Sequence, residues 1–207
     1  MIIAIDGPAA SGKGTIARAL ARHFGLPHLD TGLLYRAVGR EALVRGIAFD
    51  DGPALAELAA ALDVSALDPE PLKAGPVGEA ASRVAAINEV RQALMTLQRD
   101  FATQAGGAVL DGRDIGTVIA PEAQVKIFVT ATPEARAQRR HAELVARGEE
   151  VTPQSVLDDI RKRDQRDSSR ASAPLTKAAD AVELDNTTLG PAESVARALE
   201  IVASRTE

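Results

Sequence analysis

A glycine-rich loop near the amino terminus is the feature that most restricts how this chain can fold. The apolar run Ile2–Asp6 predicts a buried strand, and helical spacing follows from Lys13 to Phe24. The loop and helix start between them consist of Gly7, Pro8, Ala9, Ala10, Ser11, Gly12, Lys13, Gly14 and Thr15. This GxxxxGK spacing predicts a phosphate-binding loop, because glycines let several backbone N–H groups point at one anion and the helix N-terminus adds its positive dipole. It indicates nucleoside triphosphate binding, with Lys13 reaching the β- and γ-phosphates, but ATPases, GTPases and small-molecule kinases all share it.

The rest of the chain alternates apolar runs with helical patterns. Strands are predicted at residues 29–31, 108–111, 125–129 and 180–184, and helices over 32–45, 53–62, 79–104 with a break near 87–88, 133–147, 152 into 161–170, and 190–204. Such alternation is typical of βαβ units, so we expect an α/β fold with a parallel sheet covered by helices on both faces. Residues 1–207 should form one domain with an insertion at 46–80, in which Asp63–Gly78, with three Pro and two Gly, should be irregular.

Composition excludes several other kinds of site. The chain has no cysteine for a nucleophile or a thiolate metal centre, and its three histidines, His23, His28 and His141, lack metal-ligand spacing. The net charge of −5 argues against general nucleic-acid affinity. No apolar run approaches the roughly 20 residues of a membrane span, and the amino terminus lacks a signal-peptide pattern. We therefore expect a cytoplasmic protein without nucleic-acid or membrane partners.

A second anion site is expected at the end of the first crossover. Thr31 is a plausible helix cap, and Arg36 lies one helical turn further on the same side. Together they could hold a phosphate, since arginine binds phosphate with two parallel hydrogen bonds. The alternative is an ordinary capped helix with a surface arginine.

The strand that ends at Asp111 runs into Gly112, Arg113 and Asp114, at the strand end where α/β sheets place their ligands. Asp111 suits the water shell of Mg²⁺, and Arg113 could bridge two phosphates. Thr15 is the other candidate for the metal, although the strict loop pattern places its hydroxyl directly after the lysine, where this chain has Gly14. A turn with solvated charges is the alternative.

Arginine is concentrated in the segment 161–170, which holds five of the 24 basic residues of the chain. If this segment is helical, Arg163, Arg166 and Arg170 fall near one face. It is either a salt-bridged surface helix or a closing lid that brings cations onto a transferring phosphoryl group. Arg139 and Arg140, on the 133–147 helix, could be simple surface charge.

Five segments, in this order, resemble bacterial cytidylate kinases: GPAASGKGT, LDTGLLYR, LDGRDIGT, VKIFVTATPEARAQRR and KRDQRDSSRASAPL. The resemblance covers nearly the whole chain. GKGT is common to nucleoside monophosphate kinases, whereas DGRDIGT and RDQRDSSRASAPL are much more specific to the cytidylate branch. The resemblance implies a P-loop kinase fold and transfer of the γ-phosphoryl group of ATP to CMP or dCMP, with Mg²⁺.

The resemblance also implies the roles of individual residues. The loop Gly7–Thr15 and Arg139 would bind ATP, and Lys13, Arg113, Arg163 and Arg170 would be catalytic. The CMP-binding residues would be Thr31, Arg36, Ser82, Arg91, Arg113, Asp114, Arg163, Asp167 and Arg170. In that set Ser82, Arg91 and Asp114 would contact cytosine. A carboxylate can accept a hydrogen bond from the exocyclic amine of cytosine, and an arginine can donate to the acceptor atoms of the cytosine ring. Uracil has the inverse pattern of donors and acceptors.

One segment departs from the family's pattern. The family's monophosphate-binding insertion usually carries a small antiparallel sheet, for which residues 63–78 are too short, so we expect an abbreviated insert at 46–80 beside a lid at 145–175. Two other functions remain open: a kinase of the same fold with UMP, AMP or a small metabolite such as shikimate as acceptor, or a nucleotide-dependent switch ATPase, which would lack a second anion site. We expect a monomer.

Overall fold

Five parallel strands form one sheet in the computed structural model, which describes residues 1–206 apart from the side chain of Ser65. The strands are β1 (Ile2–Asp6), β2 (His28–Asp30), β3 (Ala108–Gly112), β4 (Val125–Thr130) and β5 (Val182–Asp185). Their spatial order is β2-β3-β1-β4-β5. β1 is buried along its whole length because it pairs on both sides, with Ile5 opposite Asp111 of β3 and Ile127 of β4.

Helices cover both faces of this sheet. They are α1 (Lys13–Phe24), α2 (Thr31–Arg45), α3 (Gly52–Ala60), α4 (Gly75–Val84), α5 (Asn88–Thr103), α6 (Pro133–Ala146), α7 (Pro153–Ser168) and α8 (Pro191–Thr206). Alternate residues of β1 separate the two cores: Ala4 packs with apolar residues of α2 to α5, and Ile5 packs with those of α1 and α8. The expected α/β fold with a parallel sheet between two helical layers is therefore confirmed.

Helices α6 and α7 form a third apolar cluster with the glycine-rich loop. Ala9 of the loop packs there with Ala137 and Leu144 of α6 and with Val156 and Ile160 of α7. The arginine-rich helix thus rests directly on the loop rather than on the sheet. No helix in residues 1–206 is both long and apolar enough to cross a membrane.

The segment between α2 and α5 differs in detail from the expected elements. α4 begins at Gly75, before the expected residue 79, because Pro76 suits the first turn of a helix. The expected break near 87–88 is present, since α4 ends at Val84 and α5 begins at Asn88. Residues 46–74 contain α3 and two short 3₁₀ turns, Val64–Ala66 and Pro71–Lys73, and the structure describes no strand there.

Candidate functional site

The glycine-rich loop turns through backbone conformations that favour glycine. Gly7 has φ 153°, and a Cβ there would lie 2.1 Å from the carbonyl oxygen of Val129. Ala10 and Gly12 also have positive φ, 57° and 85°. Gly12 caps α1 without a side chain, which leaves the leading N–H groups of the helix for an anion. The loop therefore has the geometry of a phosphate cradle.

Lys13 is buried under this loop. It is 9% exposed, and its Nζ donates to the carbonyl oxygen of Pro8 over 3.1 Å. Burial, reinforced by the Arg113 guanidinium, lowers the pKa of Lys13 to about 7. A bound phosphate would stabilise the charged ammonium of Lys13, because the anion compensates for the hydration that the ammonium loses when it is buried.

Two carboxylates stand side by side at the carboxyl ends of β2 and β3. Asp30 and Asp111 are register partners, and both line a cavity with Lys13 and Gly14. Burial and the neighbouring Asp111 raise the pKa of Asp30. Crowded carboxylate oxygens suit Mg²⁺, which binds through one or two carboxylates, waters and nucleotide phosphates rather than in an all-protein cage.

The structure does not bring Thr15 into the cavity that contains Asp111. Thr15, on the first turn of α1, is exposed and lines a neighbouring cavity with Arg139 and Asn186. Among residues 1–206, no group of three His, Cys, Asp or Glu side chains could hold a metal ion. Asp30, to which sequence reasoning gave no role, lines the same cavity as Asp111 and could hold a metal ion together with it.

The cavity beneath the loop has a volume of about 270 Å³ and is rich in cations. Its basic lining residues are Lys13, Arg18, Arg36, Lys73, Arg113, Arg140 and Arg163. Sequence reasoning missed Arg18, Lys73 and Arg140 as members of this set. Helical spacing from Gly14 could have pointed to Arg18, but nothing local marks Lys73, which lies in an irregular segment.

Arg36 and Arg140 connect this cavity to the segment before α4. Arg36 Nη1 donates to the carbonyl oxygen of Leu72 over 2.8 Å, and Arg140 Nη2 donates to that of Lys73 over 3.1 Å. Burial and the neighbouring Arg140 lower the pKa of Arg36. Two arginines that face the cavity thus also hold the backbone of Leu72 and Lys73.

A smaller cavity of about 40 Å³ collects most of the expected CMP-binding residues. Its polar lining residues are Thr31, Tyr35, Arg91, Arg113, Asp114, Arg163 and Arg170. Arg91 pairs with Asp114, and burial raises the pKa of Asp114 despite that pair. The volume admits only a few waters, so a nucleotide base needs movement of the surrounding helices.

Ser82 lies beside this cavity on α4. The side chain is buried, at 1% exposed, and its Oγ has no hydrogen-bond partner among residues 1–206. A buried hydroxyl without a partner is costly and calls for an explanation. A ligand that uses this hydroxyl would supply one.

Asp167, on α7, is the centre of an arginine cluster. It is fully buried and contacts Arg113 at 2.9 Å, Arg163 at 3.9 Å and Arg170. Burial alone would raise the pKa of Asp167, but the three guanidinium groups lower it. One carboxylate cannot neutralise three cations, and the Nε atoms of Arg163 and Arg170 have no partner in the described part of the chain. The cluster therefore carries surplus positive charge next to both cavities.

The expectation that Arg163, Arg166 and Arg170 share a helix face is wrong. α7 ends at Ser168, so Arg170 lies beyond the helix and returns to Asp167. Arg166 instead pairs with Glu79 of α4 at 2.7 Å. The two alternatives for this segment are both present in part, because some of its arginines form surface salt bridges while others surround the buried carboxylate.

A third cavity, of about 260 Å³, lies on the other side of the loop. Thr15, Arg139, Leu189 and Pro191 are among its lining residues. Arg139 donates to the side-chain and backbone oxygens of Asn186 over 2.9 and 2.6 Å, so it is more than surface charge. Asn186 in turn donates to the carbonyl oxygen of Ser11, which ties this cavity to the loop.

Comparison with solved structures shows the fold alone. An uncharacterized protein from Eubacterium ventriosum matches with a TM-score of 0.54 and 18% identity, over 99% of each chain. A sugar kinase from Janibacter matches with a TM-score of 0.51 and 15% identity, over 97% of this chain and 93% of the other. Both agree with the α/β architecture described above.

Comparison of sequences is far more specific. A cytidylate kinase from Xanthobacter autotrophicus is 63% identical over 205 residues, covering 99% of this chain and 98% of that protein. Another, from Azorhizobium caulinodans, is 61% identical over 202 residues, covering 98% of each. The sequence model of the cytidylate kinase family matches residues 3–204. This chain therefore belongs to the cytidylate kinase family.

Proposed function

We propose that this protein transfers the γ-phosphoryl group of ATP to CMP or dCMP, giving CDP or dCDP and ADP. The observation that carries the proposal is the position of the buried Arg91–Asp114 pair beside the Asp167 arginine cluster. The pair suits a base with both donors and acceptors, and the cluster suits its phosphate. Membership of the cytidylate kinase family supports the same acceptor.

Phosphoryl transfer here would rest on positioning and charge neutralisation. The acceptor phosphate is already an oxygen nucleophile, so no general base is needed. Lys13, Arg113, Arg163 and Arg170 are the proposed catalytic residues, because they surround the two adjoining cavities with positive charge. Such preorganised cations stabilise the charge that spreads over the transferring group.

The ATP side would use the loop Gly7–Thr15 for its phosphates. Arg139 and the apolar Leu189 and Pro191 line the cavity beyond Thr15, which suits a nucleoside that leaves the loop in that direction. Asp30 and Asp111 would hold Mg²⁺. That ion, when bound, would neutralise the charge on the donor phosphates.

Cytosine selection would come from Asp114, Arg91 and Ser82. Asp114 would accept from the exocyclic amine, while Arg91 and Ser82 would donate to the ring acceptors. Uracil presents N3–H and O4 in the inverse pattern and would leave buried polar groups unpaired. Arg36, Thr31 and the Asp167 cluster would bind the monophosphate.

The insert at 46–80 and the lid at 145–175 are the proposed moving parts. They meet through Arg166 and Glu79 at 2.7 Å, Arg147 and Glu70 at 3.1 Å, and the Glu149 carboxylate that accepts from Gly75 N at 3.1 Å. Opening these polar contacts would admit the base. Closing them would exclude water and prevent ATP hydrolysis. The enzyme is proposed to act as a monomer in the cytoplasm.

A coupled assay of ADP production separates this function from its alternatives. ATP is supplied with CMP, dCMP, UMP, AMP or shikimate, and with no acceptor. We expect kcat/KM for CMP or dCMP to exceed that for UMP by about 10²-fold or more, since uracil would leave more than one buried polar group unpaired and each costs roughly 1–3 kcal/mol. Preference for another acceptor would support a different kinase, and acceptor-independent turnover would support a switch ATPase.

A further inference from the structure

His28 and Asp111 form a partly buried pair on adjacent strands. His28 lies opposite Val109 in the β2–β3 register, two residues before Asp111, so both side chains project from the same face of the sheet. The His28 Nε2 atom lies 2.7 Å from Asp111 Oδ1, and the two side chains are 17% and 3% exposed. A carboxylate can only accept, so the ring donates through Nε2.

The two oxygens of Asp111 consequently have different surroundings. Oδ1 accepts from His28, whereas Oδ2 lies 3.8 Å from the position of a Cβ on Gly14, against the phosphate-binding loop. Asp111 lines the cavity beneath the loop, and His28 is absent from its described lining. His28 therefore contacts the cavity lining through Asp111, and it also attracts the Asp30 carboxylate, which lines the same cavity.

The orientation of Asp111 matters because Lys13 and Asp30 are its neighbours. Burial and the neighbouring Asp111 raise the pKa of Asp30. Both carboxylates attract the Lys13 ammonium. Without the His28 donor, a buried Asp111 oxygen would lose its partner, and the carboxylate would be free to turn toward the cations that line the cavity. Lys13, which the loop needs for phosphate, is one of these cations, and Asp111 attracts it.

We propose that His28 is a positioning residue that holds Asp111 with Oδ2 toward the loop, so that Asp111 can receive Mg²⁺ with the nucleotide while Lys13 stays available to phosphate. This inference rests on the proposed function. Groups that orient a metal-binding carboxylate typically change metal affinity 10- to 100-fold when removed.

The test compares His28→Leu, which removes the donor, with His28→Gln, whose amide N–H has similar reach. The main readout is the ratio of ADP affinities with and without Mg²⁺, measured with a fluorescent ADP. We expect His28→Leu to reduce this ratio about tenfold and to raise KM for MgATP, with KM for CMP within about twofold. His28→Gln should restore most of the ratio. His23→Leu, at an exposed position on α1, is the matched control and should match the wild type.

A double-mutant cycle keeps the inference testable if His28→Leu lowers stability. In an Asp111→Asn background, His28→Leu should have little further effect on the Mg²⁺ ratio, because the carboxylate it orients is gone. An unchanged ratio in His28→Leu, equal loss in His28→Gln, or additive effects in the cycle would overturn the inference. Wild-type protein that binds Mg²⁺ and ADP but fails to phosphorylate CMP would instead overturn the proposed function.

Discussion

Binding of ATP above pH 7 should take up close to one proton, because Lys13 is held partly neutral until a phosphate enters the loop. Burial, with Arg113 as the next cause, lowers the pKa of Lys13 from 10.5 to about 7 in the free protein. Phosphate contacts favour the ammonium and return its pKa toward the usual range. Protonation of Lys13 is thereby linked to ATP affinity.

The magnitude follows from the two pKa values. At pH 8 about a tenth of free Lys13 is protonated, whereas nearly all of it is protonated when the bound pKa is near 10.4, so uptake approaches 0.9 proton. ATP affinity should fall about 50-fold between pH 7 and pH 9 for the same reason. The sign is fixed: a lowered free-state pKa makes binding weaker as pH rises.

Calorimetric titration in buffers of different ionisation enthalpy measures this uptake directly. Excess Mg²⁺ is used, and phosphate groups with pKa values of about 6 or lower contribute little at pH 8. Lys13→Met supplies the control, because it should abolish the uptake and lower kcat about 10²-fold or more. Uptake below about 0.2 proton, or equal uptake in Lys13→Met, would refute the reasoning.

Three further predictions concern the acceptor side and the lid. Asp114→Ala should lower kcat/KM for CMP roughly 10- to 150-fold with KM for ATP unchanged, because it removes the charged partner of the cytosine amine. An equal loss of ATP affinity would assign Asp114 to the metal site instead. Arg163→Met should lower kcat/KM for CMP while the melting temperature holds or rises, because burial and Arg113 lower the pKa of Arg163 to about 9 and its charge is disfavoured in the free fold. Loss of stability with normal kinetics would make Arg163 structural. Limited proteolysis within 145–175 should be suppressed by an ATP analogue and CMP together more than by either alone, and equal protection by the analogue alone would contradict closure over both substrates.

The sequence by itself determined the features that depend on local pattern. Strand, glycine spacing and helix follow one another between Ile2 and Phe24, so the phosphate-binding loop could be predicted without knowing any distant contact. Alternation of strands and helices was enough for the α/β fold. The motifs LDGRDIGT and KRDQRDSSRASAPL, which contain Asp114 and Arg170, were enough to indicate the family.

Only the tertiary structure decided which side chains meet. Asp167 lies 54 residues from Arg113, and His28 lies 83 residues from Asp111, so their contacts depend on the sheet order and on how α7 rests upon the loop. Local spacing placed Arg170 on a helix face, but α7 ends at Ser168 and the buried Asp167 draws Arg170 back. A buried carboxylate needs donors wherever the fold supplies them. Helical periodicity describes one element at a time and cannot identify those donors.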